Sequence, residues 1–344
     1  MYWNPVLGPL KIVALGASIV AAGCGDATAV HGADDEILFS GRTGSAHDIY
    51  LVSLDDRVIT NLTSDGVSVG GAWSPDGSRI AFSSRRDLPG ANGAGQIFVM
   101  DATGANVSNL SGGPDHDTDT QPLWSPDGSL IAFSRGEATY VMNAVGTDLR
   151  PLSAELGSVD SPAWSPDGSR LAVVSRRDGN PEIYVIDSDG SHPINVTNDA
   201  APDRSPTWSP DGSRIAFESL RSGQSDIYVM DADGSHVARI TTHEATDFLP
   251  RWSPTSEWIV FTSLRDGNVE LYAVSADGSE VRNLSLHRAV DGEPEWAPDG
   301  VHITFTSDRS GSLEVHVMDV DGSRTESVTT FTGFVAEPRW RPAR

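Results

Sequence analysis

The sequence predicts an all-β protein, a seven-bladed β-propeller of four-stranded antiparallel blades. Three observations lead there: a tryptophan-headed unit returns seven times, each unit holds four short strand-like runs, and the two chain ends supply complementary parts of one unit. Self-similarity at roughly 40–50 residues marks a repeat architecture, and four strands per repeat select the propeller among them.

The tryptophans are Trp73, Trp124, Trp164, Trp208, Trp252, Trp296 and Trp340, spaced by 51, 40, 44, 44, 44 and 44 residues. WSPDGS follows in four copies, and the copy at Trp252 (WSPTSEWIVF) loses Asp-Gly yet keeps its spacing. An apolar run comes next in each unit, beginning at Ile37, Ile80, Ile131, Leu171, Ile215, Ile259 and Ile303. Then comes an aromatic-rich run, as in DIYLV at Asp48, QIFVMD at Gln96, EIYVID at Glu182 and DIYVMD at Asp226. A short run such as Asn61-Leu62-Thr63 or Arg239-Ile240-Thr241 ends the unit. These runs are β-branched or aromatic and bounded by Gly, Pro, Asp and Ser, which is the strand signature. No helical apolar period with caps runs through residues 24–344.

The first unit starts at Glu36-Ile37-Leu38-Phe39 with no Trp strand before it, and the last stops at Pro338-Arg339-Trp340 with no strands after it. Pairing the two ends closes the ring with three N-terminal strands and one C-terminal strand. Closure removes the open edges that would template aggregation.

Ser-Pro-Asp-Gly is expected to join the Trp strand to the next one. Proline presets φ, aspartate fits the following turn position, and glycine takes the left-handed one. This is a three-residue hairpin with a bulge at glycine. The tryptophan is expected between blades, with its N–H satisfied locally. Asp-Ala-Asp-Gly-Ser at Asp231 is read as the next turn on the same face. The full calcium-loop spacing is missing there, so no metal is assigned. A serine that recurs at equivalent turns faces a different neighbourhood at each, whereas a catalytic triad needs one assembled geometry. The Ser-Asp pair is therefore read as structural.

Trp-Ser-Pro-Asp-Gly followed by IAF and IYVMDxDGS resembles the repeat of TolB-type propellers, and the resemblance covers residues 36–344. It implies a binding scaffold that engages protein or peptide partners in the cell envelope. The additional N-terminal domain of TolB itself is not expected, since about ten residues separate Cys24 from the first strand.

Lys11 precedes the apolar run Ile12–Ala22, which ends in Ala21-Ala22-Gly23-Cys24. A basic residue, a short apolar segment and small residues at its end describe an export signal, too short to span a bilayer. The ending resembles the lipobox of bacterial lipoproteins, which makes Cys24 the expected lipidation site. The expected organisation is a signal over 1–23, a linker over 24–35 and the propeller over 36–344. Localisation is expected to be periplasmic or outer-membrane-associated. Cys24 is the only cysteine, so no disulfide forms within the chain. The net charge of −24 excludes a nucleic-acid partner, which requires a basic face.

Antiparallel connections alternate between the two faces of the disc. The tight turns share one face, and the longer variable loops, where binding residues concentrate, share the other. Asp119, Asp160, Asp203, Asp247 and Asp291 stand four or five residues before a tryptophan, at the expected funnel mouth. There they either converge on a cation or basic segment or bond their own crossover loops. Arg85, Arg86, Arg176, Arg177, Arg221, Arg265 and Arg309 occupy the loops, either paired with neighbouring acids or open to a carboxylated partner. His116, His243 and His287 lie eight or nine residues before a tryptophan. Three imidazoles on one rim are similar to the manganese site of oligogalacturonate lyases, while solvated loop histidines are the structural alternative. The expectation is a non-catalytic envelope scaffold with no cofactor. The alternative is a metal-dependent carbohydrate-active enzyme working in the funnel.

Overall fold

The computed structural model describes residues 35–87, 94–112, 117–153, 155–157 and 159–343. Twenty-eight strands form seven antiparallel sheets of four, with no helix among the described residues. Residues 1–34, which include Cys24 and the expected signal and linker, lie outside the described residues, as does His116.

Each blade reads from the inside outward. In blade 2 the order is Ser68–Trp73, Arg79–Ser84, Gln96–Asp101 and Ser108–Asn109. The Trp strands are innermost, because they touch those of neighbouring blades around the ring while the fourth strands lie at the far edge of each sheet. The other inner strands are Asp119–Trp124, Val159–Trp164, Asp203–Trp208, Asp247–Trp252, Asp291–Trp296 and Phe334–Trp340. Blade 1 closes the ring as expected: Phe334–Trp340 pairs with Glu36–Thr43 in the register Ile37↔Trp340 and Leu38↔Arg339. Just beyond it, Arg341 bonds the Glu36 carbonyl through its amide at 2.9 Å and pairs with the Glu36 carboxylate through its guanidinium.

The core is not central. It lies in seven apolar clusters, each between two adjacent blades. Leu38, Ile49 and Leu51 of blade 1, for example, meet Trp73, Ile80, Phe82 and Met100 of blade 2. The tryptophan N–H is not satisfied locally, contrary to the expectation. It reaches across to the preceding blade, where Trp124, Trp164, Trp208, Trp252 and Trp296 donate to the carbonyls of Ala72, Leu123, Ala163, Thr207 and Arg251 at 3.1–3.3 Å. That carbonyl always belongs to the residue before the neighbouring tryptophan. Trp340 of the closing blade and Trp73 of the blade after it lack an acceptor among the described residues. The arginine of WSPDGSR also serves the ring, since Arg79, Arg170 and Arg214 stack 4.6–5.0 Å over the next blade's tryptophan.

The repeated serine and aspartate build the hairpin. Ser165 Oγ donates to Asp167 at 2.6 Å and accepts the Arg170 amide at 3.0 Å, while Asp167 accepts the Ser169 amide at 3.0 Å. The same bonds recur at Ser74, Ser125 and Ser209. In the next turn, Gly190 (φ 87°) lies so near the preceding blade that an added Cβ would fall 1.7 Å from the Leu152 carbonyl oxygen. Only glycine fits there.

Trp208→Phe should cost about 1–2 kcal/mol, because it removes the bond to the half-buried Ala163 carbonyl. Trp340→Phe should cost less, its N–H having no acceptor to lose; urea denaturation of both variants checks this. Hydrogen bonds from Ser and backbone amides lower Asp76, Asp167 and Asp277 to about 2. A depressed carboxyl stabilises the fold above its unfolded value near ~4 and loses that contribution as pH falls toward about 2. Melting temperature should therefore drop through that window, and an Asp76→Asn, Asp167→Asn double variant should flatten the drop.

Candidate functional site

The inner strands surround the central channel, and each breaks its pairing with a bulge before the tryptophan. The residue three before each tryptophan is left-handed in all seven blades: Gly70, Gln121, Ser161, Ser205, Leu249, Glu293 and Glu337, with φ between 51° and 69°. Six of these carry a side chain, so the ring accepts backbone strain at the channel wall.

The expected funnel-mouth acids do not stand open in that channel. Asp119, Asp203, Asp247 and Asp291 are fully buried, each gripped by an arginine of its own blade at 2.6–3.0 Å: Arg135, Arg221, Arg265 and Arg309. Those guanidiniums also lie over the aromatic pairs Phe133/Tyr140, Phe217/Tyr228 and Phe261/Tyr272, and over Phe305. Charge, hydrogen bonds and ring faces thus hold one side chain in place, and burial raises the Asp203 carboxyl despite its arginine. Asp160 pairs with Arg176 at 2.9 Å and is partly exposed. Arg86 pairs with Asp65 at 2.7 Å and covers Phe82 and Phe98. Arg85, Arg176 and Arg177 are exposed on the loop face.

His243 and His287 occupy equivalent crossovers, and each takes up its own loop. Their Nδ1 atoms accept the amides of Ala245 and Ala289 at 3.1 Å, and their carbonyls accept Gln224 and Asn268. Among the described residues no group of three His, Cys, Asp or Glu is placed to hold a metal ion. Gly66-Val67-Ser68-Val69-Gly70 has the spacing of a nucleophile elbow. Its Ser68 is fully buried and bonded to Asp65 and to Ser84 at 2.8–2.9 Å, a structural use.

A charged cluster on the channel wall escapes the sequence reading. Arg251, Glu295 and Arg339 precede the tryptophans of blades 6, 7 and 1, and both arginines face one Glu295 oxygen, at 3.6 and 3.2 Å. Glu293 accepts the Glu337 amide at 2.7 Å, and Glu218 accepts the Leu249 amide at 2.8 Å. Burial raises the carboxyls of Glu218 and Glu293 and lowers the Arg251 guanidinium. Blades 2, 3 and 4 carry only Ala72, Leu123 and Ala163 at the position of that triad. The only sequence signal is the departure of these residues from the repeat.

The model of the TolB beta propeller domain matches residues 23–153, 121–248 and 244–344. A protein TolB homolog of Chlorobium luteolum is 29% identical over 155 residues, covering 44% of this chain and 34% of that relative, about a third of its length. The TolB structure from Acinetobacter baumannii superposes with a TM-score of 0.59 at 21% identity, covering 89% of this chain and 82% of the other. An oligogalacturonate lyase in complex with manganese gives 0.65 at 14% identity, covering 86% and 85%. At such identities these two structures share the fold with this chain. The matched segments run through every blade, so the chain belongs to the TolB beta propeller domain family.

Proposed function

We infer that this protein is a non-catalytic scaffold of the cell envelope, engaging a protein or peptide partner on its loop-rich face and in its central channel. The observation that carries the reading is the broken symmetry of the channel: a charged cluster on blades 5, 6, 7 and 1 faces small or apolar residues on blades 2, 3 and 4. The hairpin chemistry of the ring does not require it. Opposite charges gathered on a half-exposed channel wall are suited to selecting a partner. In this reading Asp119, Asp160, Asp203, Asp247 and Asp291 act indirectly, by fixing arginines at the mouth. Arg85, Arg176, Arg177, His116, His243 and His287 are contacts of the loop face.

Membership of the TolB propeller family supports an envelope setting. Export by residues 1–23 and lipid attachment at Cys24 complete the reading. Among the described residues no helix is long and apolar enough to cross a membrane.

Affinity capture of the mature protein from its own envelope should recover a partner that an Arg339→Ala, Glu295→Ala variant loses by about tenfold, at unchanged melting temperature. Equal capture by the variant, or capture of nothing, sinks the scaffold reading. Mass spectrometry of the mature N-terminus should show a lipidated Cys24 and no residues 1–23; an unmodified Cys24 still carrying them refutes the anchor.

A further inference from the structure

The mouth of the channel is built from two positions per blade, one six residues before the tryptophan of the inner strand and one just after the second strand. Backbone bonds join them, as in Leu220 N–H to the Pro202 carbonyl at 3.2 Å and Leu264 N–H to the Thr246 carbonyl at 3.1 Å. In four consecutive blades one of these positions holds an exposed apolar side chain. Leu220 of blade 5 is 39% exposed, Leu264 of blade 6 is 42%, Val290 of blade 7 is 47% and Phe334 of blade 1 is 38%. Asp308 shares the mouth in blade 7 but is occupied in accepting the Val290 amide at 2.9 Å.

Cations close the arc at both ends. Beside blade 5, Arg177 of blade 4 is exposed, next to Arg176, which pairs with Asp160 at 2.9 Å. At the other end Arg42 lies 5.4 Å over the Phe334 ring. The Arg85 amide bonds the Val67 carbonyl at 3.4 Å, Val67 bridges His47, and His47 pairs with Arg42, so the two arginines share that corner. Leu286, in the crossover between blades 6 and 7, is 78% exposed with φ 40°. Ser64 and Asn198 fill the equivalent left-handed position elsewhere, as polar residues that tolerate it better. Packing gives no reason for a leucine there.

Single exposed apolar residues are ordinary, but a continuous run of them bounded by charge marks an interaction surface. The protein carries a net charge of −24, so cations gathered at the two ends of one apolar arc stand out against its field. We propose that this arc binds an extended segment of a partner protein in which an apolar run is flanked on both sides by aspartate or glutamate. The apolar run lies over Leu220, Leu264, Val290 and Phe334, and the flanking carboxylates meet Arg177 at one end and Arg42 and Arg85 at the other. The proposal rests on the scaffold reading and specifies the chemistry of its partner.

The test is fluorescence anisotropy of the full-length protein with labelled synthetic peptides. One carries a short apolar run between aspartates, the second replaces the aspartates by lysines, and the third replaces the apolar run by serines. The first should bind at least about tenfold more tightly than either control. Leu220→Ser, Leu264→Ser together should remove about tenfold while leaving the salt dependence unchanged. Arg85→Ser, Arg177→Ser together should weaken both the preference for aspartate and the salt dependence. These side chains are exposed, so circular dichroism and melting temperature should not change. Equal binding of the aspartate and lysine peptides, or binding that neither double variant alters, overturns the proposal. So does binding to anionic phospholipid vesicles, lost with the arginines, in place of the peptide. Envelope capture uses neither these peptides nor these variants. A partner captured there without peptide discrimination here refutes the segment chemistry and leaves the scaffold standing.

Discussion

The structure depends on blades packing face to face. A four-stranded blade has two apolar faces and no core of its own, so it is stable only between neighbours. The tryptophan makes this contact directional: five indoles donate to the carbonyl before the preceding blade's tryptophan. One residue type thereby supplies buried area and sets the spacing between blades. The closing blade is the exception, with the indoles of Trp73 and Trp340 lacking an acceptor among the described residues and Arg341 clasping Glu36, bonding the Gly77 carbonyl at 2.9 Å and stacking 5.0 Å over Trp73.

The repeated polar residues serve the same end. Serine and aspartate of the hairpin satisfy each other and the backbone, and the aspartate that opens four of the inner strands is spent on an arginine that also covers aromatic rings. A second acid begins the third strand and fastens the crossover, as Glu182 does with the Asp199 amide and Glu314 with the Phe331 amide. With the repeat saturated in this way, residues that leave it are free to differ from blade to blade. Arg251, Glu295, Arg339, Leu264 and Leu286 are of that kind.

Much of the fold was legible because its period is long and its units nearly identical. Strand content, blade number, turn placement and the shared closing blade all follow from spacing and from which unit lacks which strand. The acids before the inner strands were found by position, but their environment was not. Nothing in Asp203 or Arg221 alone shows that one buries the other, since 18 residues of hairpin separate them and pairing requires the blade. Position likewise puts His116, His243 and His287 on one rim, but does not show that the Nδ1 atoms of His243 and His287 accept amides two residues on.

By itself the sequence determined a ring of seven antiparallel blades, its closure and its two unlike faces, because these follow from local patterns repeated at a near-constant interval. Tertiary structure decided where the tryptophan N–H goes, which charges are buried and which side chains share the channel. Those contacts join residues about 44 positions apart, one blade to the next, as Glu293 meets the Glu337 amide and Arg339 meets Glu295. No local pattern encodes such a meeting; it exists only once the ring has closed and brought the inner strands around a common axis.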